Sequence, residues 1–172
     1  NMDGFVCGCG TYILYKNEVL FSQTVPFEIG NELVSDLEKY NIEWLLEGEK
    51  TLYYRNKPYT THIGDFKDEQ KHLYPSAYKE LEPSKASDLV FDKFCIGIHK
   101  NSDFKSFEAK YSKIFTIIDR GNNFYEIVPA NCSKATGMEF LMKHFNVDKK
   151  DTIAIGDSTN DLTMLEFAGT SI

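Results

Sequence analysis

Residues 152–155, Thr-Ile-Ala-Ile, form a short apolar run that breaks into Gly156-Asp157-Ser158-Thr159-Asn160-Asp161 and then into helix-spaced sequence over 160–168, with Gly169 placed to stop it. Three apolar residues after Thr152, too few for a helix, read as a strand. A strand that delivers a glycine and two carboxylates into the start of a following helix leaves few folds open. Just upstream, Ser133 is a candidate cap for a helix whose buried stripe would be Met138, Leu141, Met142 and Phe145. Helix, strand, turn and helix in this order predict an α/β protein.

The rest of the chain fits the same class. Phe5-Val6-Cys7 suits a buried strand running into a loop at Gly8 and Gly10, and residues 11–15 and 19–25 flank the polar turn Lys16-Asn17-Glu18 as a hairpin. After Pro26 the spacing turns helical, with Ile29, Leu33, Val34, Leu37 and Tyr40 on one face ending near Asn41, which places a domain boundary near Val25-Pro26. Two short strands are expected at 43–47 and 51–55, around Gly48-Glu49-Lys50. Residues 56–92 are polar, contain Pro58, Pro75 and Pro83 and have no sustained period, which predicts loops and short helices. A strand follows at 93–99, then a helix carrying Phe104, Phe107, Tyr111 and Ile114 with Asp103 as its cap. Residues 115–119 and 124–128 flank Arg120-Gly121-Asn122-Asn123 as a second hairpin, its aromatic residues in the core.

Charge narrows the function. A net charge of -7 without a Lys/Arg cluster argues against nucleic acid, whose backbone is held by basic side chains. No apolar run reaches the roughly 20 residues of a membrane span, and the first residues lack a basic-then-apolar leader, so a cytoplasmic protein with no membrane partner is expected. Cys7, Cys9, Cys95 and Cys132 read as free thiols, since the one-residue spacing of Cys7 and Cys9 does not fit zinc and no histidine lies near them. His62, His72, His99 and His144 are scattered singly and read as surface or packing residues. An acidic chain acting on a phosphorylated compound needs local positive charge from a metal ion and a lysine.

Asp157 and Asp161 follow the strand at 152–155, at the end where open α/β sheets place their ligands. One carboxylate lies in the loop and the other in the first helical turn, so both can converge on one hard cation, and Mg2+ fits oxygen ligands best. The competing reading is that Asp157, Ser158 and Asp161 only cap a helix.

Gly156-Asp157-Ser158-Thr159-Asn160-Asp161-Leu162-Thr163-Met164-Leu165 resembles the fourth motif of the haloacid dehalogenase (HAD) superfamily, in the form of its Cof-type phosphatases. Glu126-Ile127-Val128-Pro129 with Ser133-Lys134 resembles the segment that carries the third-motif lysine, and residues 3–6 with 10–13 resemble the strand and loop before the cap domain. The resemblance implies a Rossmann-like HAD core, incomplete here, at 1–25 and 129–172, with an inserted α/β cap at 26–128. It also implies hydrolysis of a small phosphorylated metabolite through an aspartyl-phosphate. Asp157 would then be a metal ligand, Asp161 a ligand directly or through water, and Asn160 and Lys134 would hold the phosphate. A phosphomutase on the same architecture, or an inactive module that only binds, are the alternatives.

One element of the pattern is missing. The family's first motif, Asp-x-Asp-Gly-Thr, carries the nucleophile and the general acid, and this chain contains no Asp-x-Asp. The chain therefore resembles a family member without the N-terminal part of its core, and the nucleophile is expected from outside these residues. Cys9-Gly10 also stands where relatives commonly carry Asn-Gly.

Overall fold

A computed structural model describes residues 2–81 and 89–172. The chain runs β1 (Gly4–Cys7), β2 (Tyr12–Tyr15), β3 (Glu18–Ser22), α1 (Phe27–Lys39), β4 (Glu43–Glu47), β5 (Leu52–Arg55), α2 (Ile63–Leu73) and β6 (Tyr78–Leu81). It continues through β7 (Lys93–Gly97), α3 (Phe104–Tyr111), β8 (Phe115–Asp119), β9 (Phe124–Pro129), α4 (Lys134–Phe145), β10 (Ile153–Ala154), α5 (Leu162–Phe167) and β11 (Thr170–Ser171). Contacts divide it into a flanking unit, residues 1–23 and 128–172, and an inserted unit, residues 24–127.

The inserted unit is built on a six-stranded sheet ordered β6-β5-β4-β7-β9-β8, antiparallel at β4/β5, β4/β7 and β7/β9 and parallel at β5/β6. Side chains alternate across a strand, so Trp44, Leu46, Phe94, Ile96 and Ile127 share one face. That face is covered by Leu33, Val34 and Leu37 of α1 and Phe107 and Tyr111 of α3 in one continuous buried cluster. Phe94 is the aromatic centre, edge-on to Phe91, Phe107 and Phe115 at 5.2 to 6.4 Å. The opposite face carries a smaller cluster of Leu45, Tyr54 and Ile63. Asp103 caps α3 by accepting from the Ser106 amide at 3.2 Å.

Residues 56–81, expected as loops and short helices, contain the 11-residue helix α2 and depart from expectation in the strand β6. Helix α2, Ile-Gly-Asp-Phe-Lys-Asp-Glu-Gln-Lys-His-Leu, buries only Ile63 fully, so no apolar period marks it. Residues 82–88, in the same polar stretch, lie outside the described residues.

The flanking unit holds the meander β1-β2-β3 and a two-stranded parallel pair, β10 with β11. Lys16 and Asn17, both at positive φ (46° and 68°), turn β2 into β3, and the second strand stops at Ser22 rather than continuing to residue 25. Ser133 caps α4 reciprocally with Thr136, at 3.1 and 2.9 Å. The buried stripe expected on α4 is not realised: Met138, Leu141 and Met142 are half-buried, Phe145 is exposed, and only Gly137 is buried. The close approach on this helix is at Gly137, where a Cβ would lie 2.4 Å from Val6. The strand expected over 152–155 is only two residues long, and its ladder is extended by Thr170 N to Thr152 O and Ile172 N to Ala154 O, at 3.0 and 2.9 Å. Among the described residues no helix is long and apolar enough to cross a membrane.

Candidate active site

The turn after β10 is organised around Asp161. Ser158 has extended backbone (φ -137°, ψ 163°) and caps the 3-10 turn Thr159–Asp161 that leads into α5. The Asp161 Oδ2 atom accepts from the amides of Asp157 and Ser158, at 3.3 and 3.2 Å, and lies 2.9 Å from Ser158 Oγ. Its Oδ1 accepts from the Lys134 ammonium, an ion pair across two segments of the flanking unit. Gly156 is required by this closure, since a Cβ there would lie 2.5 Å from the Cβ of Asp161.

Asp161 is 6% exposed, yet its carboxyl is pulled down to about 2. The hydrogen bond from Lys134 is the largest cause; burial opposes it, and the Ser158 hydroxyl and the Asp157 amide add to the downward pull. The group is therefore a carboxylate at any ordinary pH.

Asn160 joins the same network. Its Oδ1 accepts from Lys134 Nζ at 3.2 Å and lies 2.6 Å from Ser158 Oγ, whose single hydrogen serves either Asn160 or Asp161. Its Nδ2 lies 3.9 Å from the sulfur of Cys9. Cys9 is buried with left-handed backbone (φ 54°, ψ 39°) in the turn Gly8–Gly10. Gly10, at φ 96°, sits where a Cβ would be 2.2 Å from the Ser133 carbonyl oxygen. That approach seats the turn against the start of α4, beside Lys134.

Of the residues singled out in the sequence, Lys134, Asn160 and Asp161 are brought together, and Asp157 joins through its backbone amide. The Asp157 side chain is exposed and takes no part in these bonds. Among the described residues no three His, Cys, Asp or Glu side chains form a metal-holding group. The part played by Ser158 is larger than a generic cap, and its signal was available: Ser-x-x-Asp is the spacing of a capping box. The contact of Cys9 with Asn160 had no such signal, because it joins residues 151 positions apart.

A family model for haloacid dehalogenase-like hydrolases matches residues 1–172. YkrA of Bacillus subtilis strain 168 is 23% identical over 173 residues, covering 98% of this chain and 62% of its own length. The 5-amino-6-(5-phospho-D-ribitylamino)uracil phosphatase YwtE of the same organism is 37% identical over 62 residues, or 36% of this chain and 22% of that protein. Among solved structures, one from Eubacterium rectale superposes with a TM-score of 0.79 at 16% identity, covering 98% of this chain and 64% of that one. A HAD subclass IIB sugar phosphatase superposes with a TM-score of 0.76 at 17% identity, covering 99% and 63%. The chain thus spans under two thirds of the length of each of these proteins. Structural likeness at this identity establishes a shared α/β, Rossmann-type fold; the match of one family model to the whole sequence establishes descent, and the chain belongs to the haloacid dehalogenase-like hydrolase family.

Proposed function

We propose that the complete protein is a Mg2+-dependent phosphatase acting on a small phosphorylated metabolite through an aspartyl-phosphate. The observation that carries this reading is the union of Lys134 with Asn160 and Asp161, 26 and 27 positions away, on a turn whose exposed carboxylate is Asp157. Solved relatives that include a sugar phosphatase, and relatives named as phosphatases, support it.

The donors at the turn are oxygen atoms of Asp157, Ser158, Asn160 and Asp161, which suits a hard cation. Asp157 would hold the metal, because its side chain is exposed and makes none of the turn's bonds. Asp161 would reach it through water, because both its oxygens are already engaged. When bound, Mg2+ would supply positive charge to the phosphoryl oxygens.

Lys134 would place a second positive charge at the phosphate, held in position by Asp161. Asn160 has its Oδ1 turned to Lys134 and Ser158, so its N–H side, which also meets the Cys9 sulfur, is the part that would match a phosphoryl oxygen. The attacking carboxylate would come from an Asp-x-Asp segment outside these 172 residues. The test is phosphate release by the complete protein with and without Mg2+, alongside the 172-residue chain. Release only by the complete protein and only with Mg2+ is expected; equal turnover by the chain alone would overturn the assignment of the nucleophile.

A further inference from the structure

Three successive residues of the turn after β1 have positive φ: Gly8 at 56°, Cys9 at 54° and Gly10 at 96°. Glycine adopts that conformation freely, whereas few residues with a side chain do. Neighbours already fix the path of the chain. Thr11 donates its hydroxyl and its amide to the Gly8 carbonyl, at 3.0 and 3.3 Å, and Gly10 abuts the Ser133 carbonyl too closely to bear a Cβ. Neither contact uses the Cys9 side chain, so a third glycine would suit the backbone better.

Position 9 nevertheless carries a thiol, buried, with its sulfur 3.9 Å from Asn160 Nδ2. A residue held against its backbone preference beside a candidate site calls for a reason in its side chain. The Asn160 amide supplies one, because it is approached at both ends. Lys134 Nζ donates to its Oδ1 at 3.2 Å and Ser158 Oγ lies 2.6 Å from the same atom, while the Cys9 sulfur stands at the nitrogen end. Cys9, Lys134 and Asn160 all belong to the flanking unit, so the contact joins distant parts of the sequence within one unit. Sulfur is a weak acceptor, whereas a phosphoryl oxygen is charged and accepts strongly. The thiol therefore directs the N–H side of the amide and still yields it to a phosphate.

We propose that Cys9 is a positioning residue: its sulfur holds the Asn160 amide in the orientation, Oδ1 to Lys134 and Nδ2 away from it, in which the amide donates to a phosphoryl oxygen. Cys9 itself touches neither the phosphate nor the metal in this arrangement and acts through Asn160. The amide turned over would set its N–H groups against the Lys134 ammonium, donor against donor, so the two ends of Asn160 enforce one orientation together. The proposal rests on the phosphatase reading for the part that concerns phosphate; the contact between Cys9 and Asn160 stands without it.

The test uses the complete protein, two variants and two readouts. Cys9→Gly removes the sulfur and suits the positive φ, so the turn keeps its path, while Cys9→Ser keeps an acceptor of similar size. The first readout is hydrogen exchange of the Asn160 side-chain amide, followed by nitrogen NMR without substrate. Exchange should be about fivefold faster in Cys9→Gly and within about twofold of wild type in Cys9→Ser, with backbone protection of residues 156–162 unchanged in both. Unchanged side-chain exchange in Cys9→Gly, or a matching loss of backbone protection, overturns the proposal. The second readout is kcat/KM for 4-nitrophenyl phosphate with Mg2+, expected to fall about tenfold in Cys9→Gly and to recover to within about threefold in Cys9→Ser. Equal rates in wild type and Cys9→Gly, or equal losses in the two variants, contradict a positioning role. If the wild-type protein releases no phosphate, the phosphatase reading fails and the amide exchange alone decides what Cys9 does.

Discussion

The two units cover their apolar residues to different extents. In the inserted unit, helices α1 and α3 close over one sheet face, and Trp44, Leu46, Phe94, Ile96 and Phe107 have no exposed surface. In the flanking unit the short strand buries Thr152 and Ala154, while Ile153 and Ile155 on its other side are 67% and 70% exposed in these 172 residues, which span under two thirds of the relatives' length. Beside the buried Ile13 and Val128, the flanking unit is ordered by polar groups: the Ser133 cap on α4, the short parallel ladder and the carboxylate of Asp161 gathering two amides, a hydroxyl and an ammonium. Packing over a whole sheet face fixes the inserted unit, while in the flanking unit the acidic turn itself is fixed by hydrogen bonds and charge. Such polar turns hold a geometry at the cost of being sensitive to single atoms.

The strongest way to break this contrast is a pair of truncations. Phe94→Ala should cost about 3–5 kcal/mol, the usual loss for a fully buried phenylalanine with aromatic neighbours on three sides. Denaturant unfolding followed by the fluorescence of the single tryptophan, Trp44, reads it directly. Asp161→Ala comes next, at about 3 kcal/mol, because it strands the Lys134 ammonium and the turn's amides. Amide exchange should show that loss in residues 1–23 and 128–172 with protection of 24–127 kept. Equal loss in both units would mean that they do not open separately.

Acid sharpens the same point. The carboxyl of Asp161 is lower folded than unfolded, so its contribution is complete above about pH 4, the ordinary range of an aspartate, and is lost as pH falls through about 2. Amide protection around residues 156–162 should fall across that window in wild type, and Asp161→Asn should remove the dependence. The smallest effect belongs to Phe145→Ala, under about 1 kcal/mol, since that ring is 41% exposed.

Much of this was legible in the sequence, for uneven reasons. Helix α1 and the strands beneath it were legible because Leu33, Val34 and Leu37 repeat at the helical period and bury as that period requires. The position and length of helix α2 were not, because its charged faces leave Ile63 as the one buried position. The stripe on α4 misled, since Leu141 and Met142 keep the helical period without full cover. At the site, Lys134, Asn160 and Asp161 were singled out by resemblance to the family's motifs, and the structure brings them together, whereas the meeting of Cys9 with Asn160 depends on a left-handed turn that no local pattern announces. That Asp161 would spend both oxygens on the turn itself was also hidden, because spacing gives a carboxylate's place and not its partners.

Two aspartates divide the labour in the proposed site: Asp161 builds the turn, and Asp157 would hold the metal. The most direct test is Mg2+ titration of phosphate release by the complete protein carrying Asp157→Asn, with amide exchange as the control for folding. Activity should be lost at every Mg2+ concentration while protection of residues 156–162 stays at the wild-type level. An unchanged rate, or a loss of activity matched by a loss of protection in the turn, would contradict it.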